Sequence, residues 1–206
     1  IKSRRSINFF DPNRSLQDEQ INQIIEIANL APSSMNLQPW KVVVVKKREG
    51  KQILRQCAYN QPKVEEASAV FIIIADPLAL EENLEKTLQT WVELGYIKDE
   101  QKEHYLKASA NLYGEPDSLK RKLFAVKNTA LFAMNLMTAA KGFDIDTHPM
   151  DGFDENCIKE KFAVPEDKTI IMLIAAGYLL PGHKVLPRAY RRQVKDFLKY
   201  ESYKND

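Results

Sequence analysis

The sequence predicts a single layered domain of mixed helix and strand, α/β or α+β. Three observations predict it. The 206 residues, 44% hydrophobic and 28% charged, have the length and balance of one compact domain, not of a disordered chain. Three runs, "KVVVVK" (41–46), "AVFIIIAD" (69–76) and "TIIMLIAAGYL" (169–179), are short, β-branched and unalternating, as strands buried on both faces are. Segments with helical spacing separate them.

Taken in order, Ser15 and Asp18 resemble a capping box, and Ile21, Ile24, Ile25 and Ala28 follow at helical spacing, so a helix is expected over about 16–30, ending near Pro32. The runs at 41–46 and 69–76 belong in the middle of a sheet. Residues 77–115 are charged and helix-prone, with scattered Trp91, Tyr96, Tyr105 and Tyr113; they read as a helical insertion or lid. Pro116, Asp117 and Ser118 signal a helix start, and Leu119 to Met137 keep helical spacing as far as Gly142, a cap; a helix of some 24 residues runs through the core or a subunit interface. "FDIDTHPM" reads as a short strand and "DENCIKEKF" as a helix. From Gly182 the tail is basic. No repeat or linker divides the chain, so residues 1–206 form one domain carrying the insertion at about 77–115.

Several function classes lose support. A net charge of +2 gives no global field for nucleic acid or membrane. No run reaches the ~18 apolar residues of a membrane span. Cys57 and Cys157 show no CxxC or Cys-His spacing, so neither a disulfide scaffold nor a zinc site is expected, and a reducing cytoplasm fits. The seven glycines form neither GxGxxG nor a P-loop; His104, His148 and His183 stand apart from one another, and no GxSxG elbow occurs. A borrowed cofactor explains chemistry here more easily than a side-chain triad or a metal.

Four polar clusters remain. "SRRS" places Arg4, Arg5 and Ser6 where two guanidinia and a hydroxyl can grip a phosphate. "APSSMNLQPW" (31–40) offers Ser33, Ser34, Asn36 and Gln38 before Pro39-Trp40 fixes the exit into a strand. "YNQPK" (59–63) sets Asn60 and Lys63 ahead of the central strand. "HPMDGFD" (148–154) lies between strand and helix, and Gly152 there lets backbone approach a flat ligand. Each cluster alone is equally a solvated turn or surface charge.

Together and in this order, "RRS", "APSSMNLQPW", Asn60 with Lys63, "PMDGF" and the basic tail resemble the flavin-dependent nitroreductase family, from about Lys2 to Leu198. The resemblance implies an α+β sandwich, a mostly antiparallel central sheet flanked by helices, in an interlocked homodimer with FMN at the subunit interface. It implies that Arg4, Arg5 and Ser6 hold the phosphate and ribityl chain, joined by Arg191, with Arg188 and Arg192 as alternatives. Asn60 and Lys63 match the pair at the pyrimidine edge, where the lysine tunes the flavin. Pro32, Ser33, Ser34 and Asn36 match residues reaching it from the partner subunit. Pro149, Met150, Asp151 and Gly152 run along the ring, with the Gly152 N–H near N5. Asn8 stands where many members have lysine or arginine, and Asp151 where many have glutamate.

The implied activity is NADPH- or NADH-dependent, ping-pong, two-electron hydride transfer through N5 to nitroaromatics, quinones or similar electron-poor acceptors. It needs no side-chain nucleophile and no metal. Dehalogenation and azoline oxidation occur on the same fold. The competing class is a noncatalytic anion- or nucleic-acid-binding protein that uses the basic termini. It leaves Asn60, Lys63 and "PMDGF" without a role.

Overall fold

The computed structural model describes residues 1–203. Its strands β1 (Trp40–Val45), β2 (Ala69–Ala75), β3 (Asp146–Met150) and β4 (Thr169–Gly177) form one sheet in the order β1-β2-β4-β3, every neighbour antiparallel. Helices α1 (Asp18–Ala28) and α6 (Leu119–Gly142) cover one face; α2 (Arg48–Cys57), α3 (Pro62–Glu66) and α7 (Glu155–Phe162) cover the other. The expected α+β sandwich is therefore present.

The unalternating strand sequences follow from this double cover. Along β2, Phe71 and Ile73 enter the core with Ile21, Ile24, Phe132 and Leu136, whereas Val70, Ile72 and Ile74 enter the opposite core with Leu54, Val64 and Ile158. A strand with two apolar neighbourhoods has no polar face to keep, and all seven β2 residues are buried. The run at 41–46 carries the same composition, yet β1 is an edge strand, not a central one. Lys41 is its exposed residue, and it pairs at 2.7 Å with Glu82, in the helix that follows β2.

The segment expected as an insertion or lid forms two helices, α4 (Ala79–Glu93) and α5 (Lys102–Tyr113), over a third apolar cluster containing Leu37, Leu80, Leu84, Leu88 and Phe124. Arg121, 2% exposed, pins it: Nη1 donates to both Glu81 carboxylate oxygens at 2.8 Å and to the Pro77 carbonyl at 3.1 Å. Its Nη2 donates to the Gly114 carbonyl at 2.5 Å. The Ser118 hydroxyl caps α6 by accepting the Arg121 N–H at 3.2 Å. The helix has the expected 24 residues, though Gly142 lies inside it and Phe143 is the cap. The α1 box is also shifted: Gln17 caps with Gln20, and Ser15 lies outside.

By length and composition α6 is apolar enough to cross a membrane, against the expectation that no segment is; 56% of the relevant window is buried within the domain. Its exposed Leu119, Leu123, Leu131 and Met134 are spaced by multiples of three and four residues along one stripe.

The cysteine expectation is overturned. Cys57 and Cys157, 100 residues apart, form a disulfide between α2 and α7. Local spacing carries no sign of it, because the packing of two helices on the same sheet face makes the pair.

Candidate active site

Three of the predicted clusters meet beside β3. The N-terminal segment runs along that strand through a parallel bridge between Ser6 and Thr147, and the Ile7 carbonyl lies 2.8 Å from His148 Nδ1. His148 Nε2 is 3.3 Å from Lys63 Nζ, which brings α3 to the same place. Before α3, Gln61 Nε2 donates to the Gly152 carbonyl at 2.8 Å, and the Tyr59 hydroxyl donates to the Phe153 carbonyl at 3.4 Å. The Asp154 N–H donates to the Cys57 carbonyl at 2.8 Å, and the disulfide closes the same joint covalently. Arg4 to Ser6, Asn60 to Lys63 and Pro149 to Gly152 thus share one neighbourhood.

Its charges are positive and poorly compensated. Arg4 Nη1 is buried without a hydrogen-bond partner among the described residues. Arg5 Nη2 donates to the Leu186 carbonyl at 2.7 Å. Arg188 donates to the Lys2 and Arg4 carbonyls, so the tail returns to the N-terminal arginines. Lys63 forms no ion pair among the described residues, and burial pulls its ammonium below the ordinary lysine range. Burial and the Lys63 charge also hold His148 below the ordinary histidine value, against the Ile7 carbonyl, which favours its protonation. An orphaned buried guanidinium nitrogen at one end and a carboxylate-free lysine at the other suit an anionic ligand. At Gly152 a Cβ would come within 3.2 Å of Gln61 Nε2, so the turn is built close against that amide.

The tail supplies Arg188 to this cluster. Arg191 donates to the neighbouring Tyr190 carbonyl and Arg192 to the Asp196 carbonyl, and among the described residues neither bonds the N-terminal segment. Asn8 and Asp151 are exposed, and Met150 is buried, with its side chain packed in the core instead of on the site.

The 31–40 stretch lies elsewhere in the chain. The Ser34 N–H donates to Asn128 Oδ1 of α6 at 2.9 Å, and the Ser34 hydroxyl bonds the Tyr113 hydroxyl of α5. Ser33 Oγ accepts the Gln38 N–H at 3.0 Å. Asn83 of α4 donates to the Leu37 carbonyl at 2.8 Å. Pro32 and Asn36 are exposed. Among the described residues no hydrogen bond joins this stretch to Lys63 or Gly152. Asn36, Gln38, Trp91 and Tyr96 line a cavity of about 520 Å³ beneath α4. Tyr105 packs edge-on against Trp91 at 5.9 Å and Tyr113 is buried, so of the four lid aromatics two wall the cavity and two serve packing.

Backbone strain marks both loops. Among the described residues, five of the eight non-glycine positions with positive φ are Met35, Asn36, Gln38, Tyr59 and Asn60. Sequence reasoning missed His148 and Gln61, although both stand inside the quoted motifs; their roles depend on the Ile7 and Gly152 carbonyls, which only the fold brings near.

The nitroreductase family model matches residues 1–178. A Bacillus subtilis protein named "Putative NAD(P)H nitroreductase YdgI" is 34% identical over 180 residues, covering 86% of this chain and 85% of its own. Among solved structures, a Bacillus subtilis protein described as "putative nitroreductase ydfN" superposes with a TM-score of 0.90 at 29% identity, over 97% of this chain and 95% of its own. An Exiguobacterium sibiricum protein described as a "putative nitroreductase in complex with FMN" gives a TM-score of 0.84 at 30% identity, over 97% and 94% of the two chains.

Proposed function

Because the chain belongs to the nitroreductase family, we propose that it is an FMN-dependent NAD(P)H oxidoreductase acting on nitroaromatics, quinones or similar electron-poor acceptors, donor and acceptor using one cleft in turn. The observation that carries this reading is the convergence of Arg4, Lys63 and Gly152 beside β3, positive and, among the described residues, without a carboxylate partner. FMN, when bound, supplies two-electron hydride chemistry.

The chain's own residues bind and orient. Arg4 offers its unpartnered Nη1 to the phosphate, Arg5, Ser6 and Arg188 frame it, and Arg191 is set aside in favour of Arg188. Lys63 presents positive charge to the edge of the ring where negative charge develops on reduction. The turn at Gly152 brings backbone close to the ring, and Asn60 lies exposed beside it. No side chain acts as nucleophile.

The second part of the proposal is a homodimer. Pro32, Ser34 and Asn36 are exposed, and among the described residues no hydrogen bond joins their stretch to Lys63 or Gly152, so in this reading a partner subunit presents them to the flavin. The α6 stripe and the exposed Leu186, Tyr190 and Phe197 of the tail are the apolar surfaces such a partner covers. We place the enzyme in the cytoplasm, although the disulfide removes the cysteine argument for that compartment. The visible spectrum of purified protein tests the cofactor: a flavin spectrum is expected, and a colourless protein that FMN cannot reconstitute overturns the reading. Sedimentation tests the dimer, and a monomer with full FMN content overturns it.

A further inference from the structure

We propose that His148 is a positioning residue: it holds Lys63 toward the anionic edge of the flavin without neutralising it. The proposal rests on the FMN reading above. It also makes a claim about the protein alone.

The claim begins with hydrogen-bond roles. The Ile7 carbonyl can only accept, so the 2.8 Å contact requires a proton on His148 Nδ1. In the neutral ring Nε2 is then an acceptor, and the Lys63 ammonium, which can only donate, meets it at 3.3 Å. The two partners fix one tautomer. A second proton would turn Nε2 into a donor facing an ammonium, so the contact exists only with the ring neutral. On β4 the ring's strand neighbour is Ala175, which is uncharged, and on α3 it is Lys63, whose charge acts on the ring among the described residues.

A neutral acceptor does what a carboxylate would not. Aspartate or glutamate at this position would orient the lysine equally well but would cancel its charge. An imidazole leaves the full positive charge directed at a ligand. The segment that fixes the imidazole also carries Arg4, Arg5 and Ser6, so the ring couples the phosphate end of the site to the lysine at the other.

Two measurements test this. In apo protein, the ¹⁵N shifts of the His148 ring are expected to show the neutral Nδ1-protonated tautomer at pH 7, with a pKa below 6.5. A charged ring or the opposite tautomer overturns the proposal whether or not flavin binds. In FMN-loaded protein, H148D is expected to lose about tenfold in its preference for reduced over oxidised FMN, a fall of about 30 mV for two electrons. H148Q, whose carbonyl oxygen can accept from Lys63, should stay within about twofold of wild type. Equal potentials for H148D, H148Q and wild type overturn the positioning role and leave the FMN reading intact. Failure of every variant and of wild type to bind FMN overturns both.

Discussion

The Gln61 side-chain amide donates to the Gly152 carbonyl at 2.8 Å and ties the loop before α3 to the turn after β3. A methyl group at Gly152 would approach that same amide nitrogen to 3.2 Å. G152A is therefore expected to push Gln61 aside and weaken FMN binding several-fold, at a stability cost of no more than about 1 kcal/mol, since a flexible side chain can yield. In a Q61A background the penalty on FMN binding should shrink, and a titration of both variants checks it. Purely additive losses would show that the two residues do not act together.

Reducing the Cys57–Cys157 bond should lower the unfolding free energy. Its closed loop spans 100 residues, and cross-links commonly contribute about 2–4 kcal/mol. Urea denaturation of wild type with and without a thiol reductant, beside C157S, measures it. Coincident transitions would show that the bond does not form in solution.

Arg121 is the pin of the lid. R121A strips donors from the Pro77 and Gly114 carbonyls and from Glu81, whose side chain is 46% exposed and can find water. The expected loss is about 2–4 kcal/mol. Hydrogen exchange should rise mainly in α4 and α5, while β2 stays protected. Uniform acceleration over the whole chain would contradict a local pin.

Two titrations set opposite edges to the stability profile. Burial pulls Lys168 down, but its hydrogen bonds and charge pairing with buried Asp76 and with Asp167 outweigh that and raise its pKa above 10.5. Both folded and unfolded chains hold this proton below 10.5, so the stabilisation is complete there and is lost as pH climbs through the folded value. His148 shifts the other way. Its folded pKa lies below 6.5, so the unfolded ring protonates first as pH falls and stability declines beneath 6.5. Denaturation midpoints against pH should lose the alkaline limb in K168M and soften the acid limb in H148Q.

How much of this was legible in the sequence depends on the range of the interactions. β2 and α6 could be read because burial on both faces and helical spacing are properties of neighbouring residues. The edge position of β1 could not, since its composition matches that of β2 and only strand order separates them. The polar clusters of the candidate site were legible as residue types; their partition was not. Arg188 instead of Arg191 meets the N-terminal arginines because the tail turns back at Leu186, and Met150, at the end of β3 opposite Leu173, packs into the core with Ile158. His148 looked solitary among histidines, and its partners proved to be a lysine and a carbonyl.

The bond between Cys57 and Cys157 also makes the middle of the chain a covalent macrocycle. β2, the lid, α6 and β3 lie on the ring; the N-terminal arginines and the basic tail hang outside it. A protease that cuts at exposed Gly95 or Glu115 opens the ring without releasing a fragment. The nicked protein runs as one species until a thiol reductant separates it, and those two positions are where new chain ends could be introduced with the Gln61 and Gly152 loops still stapled.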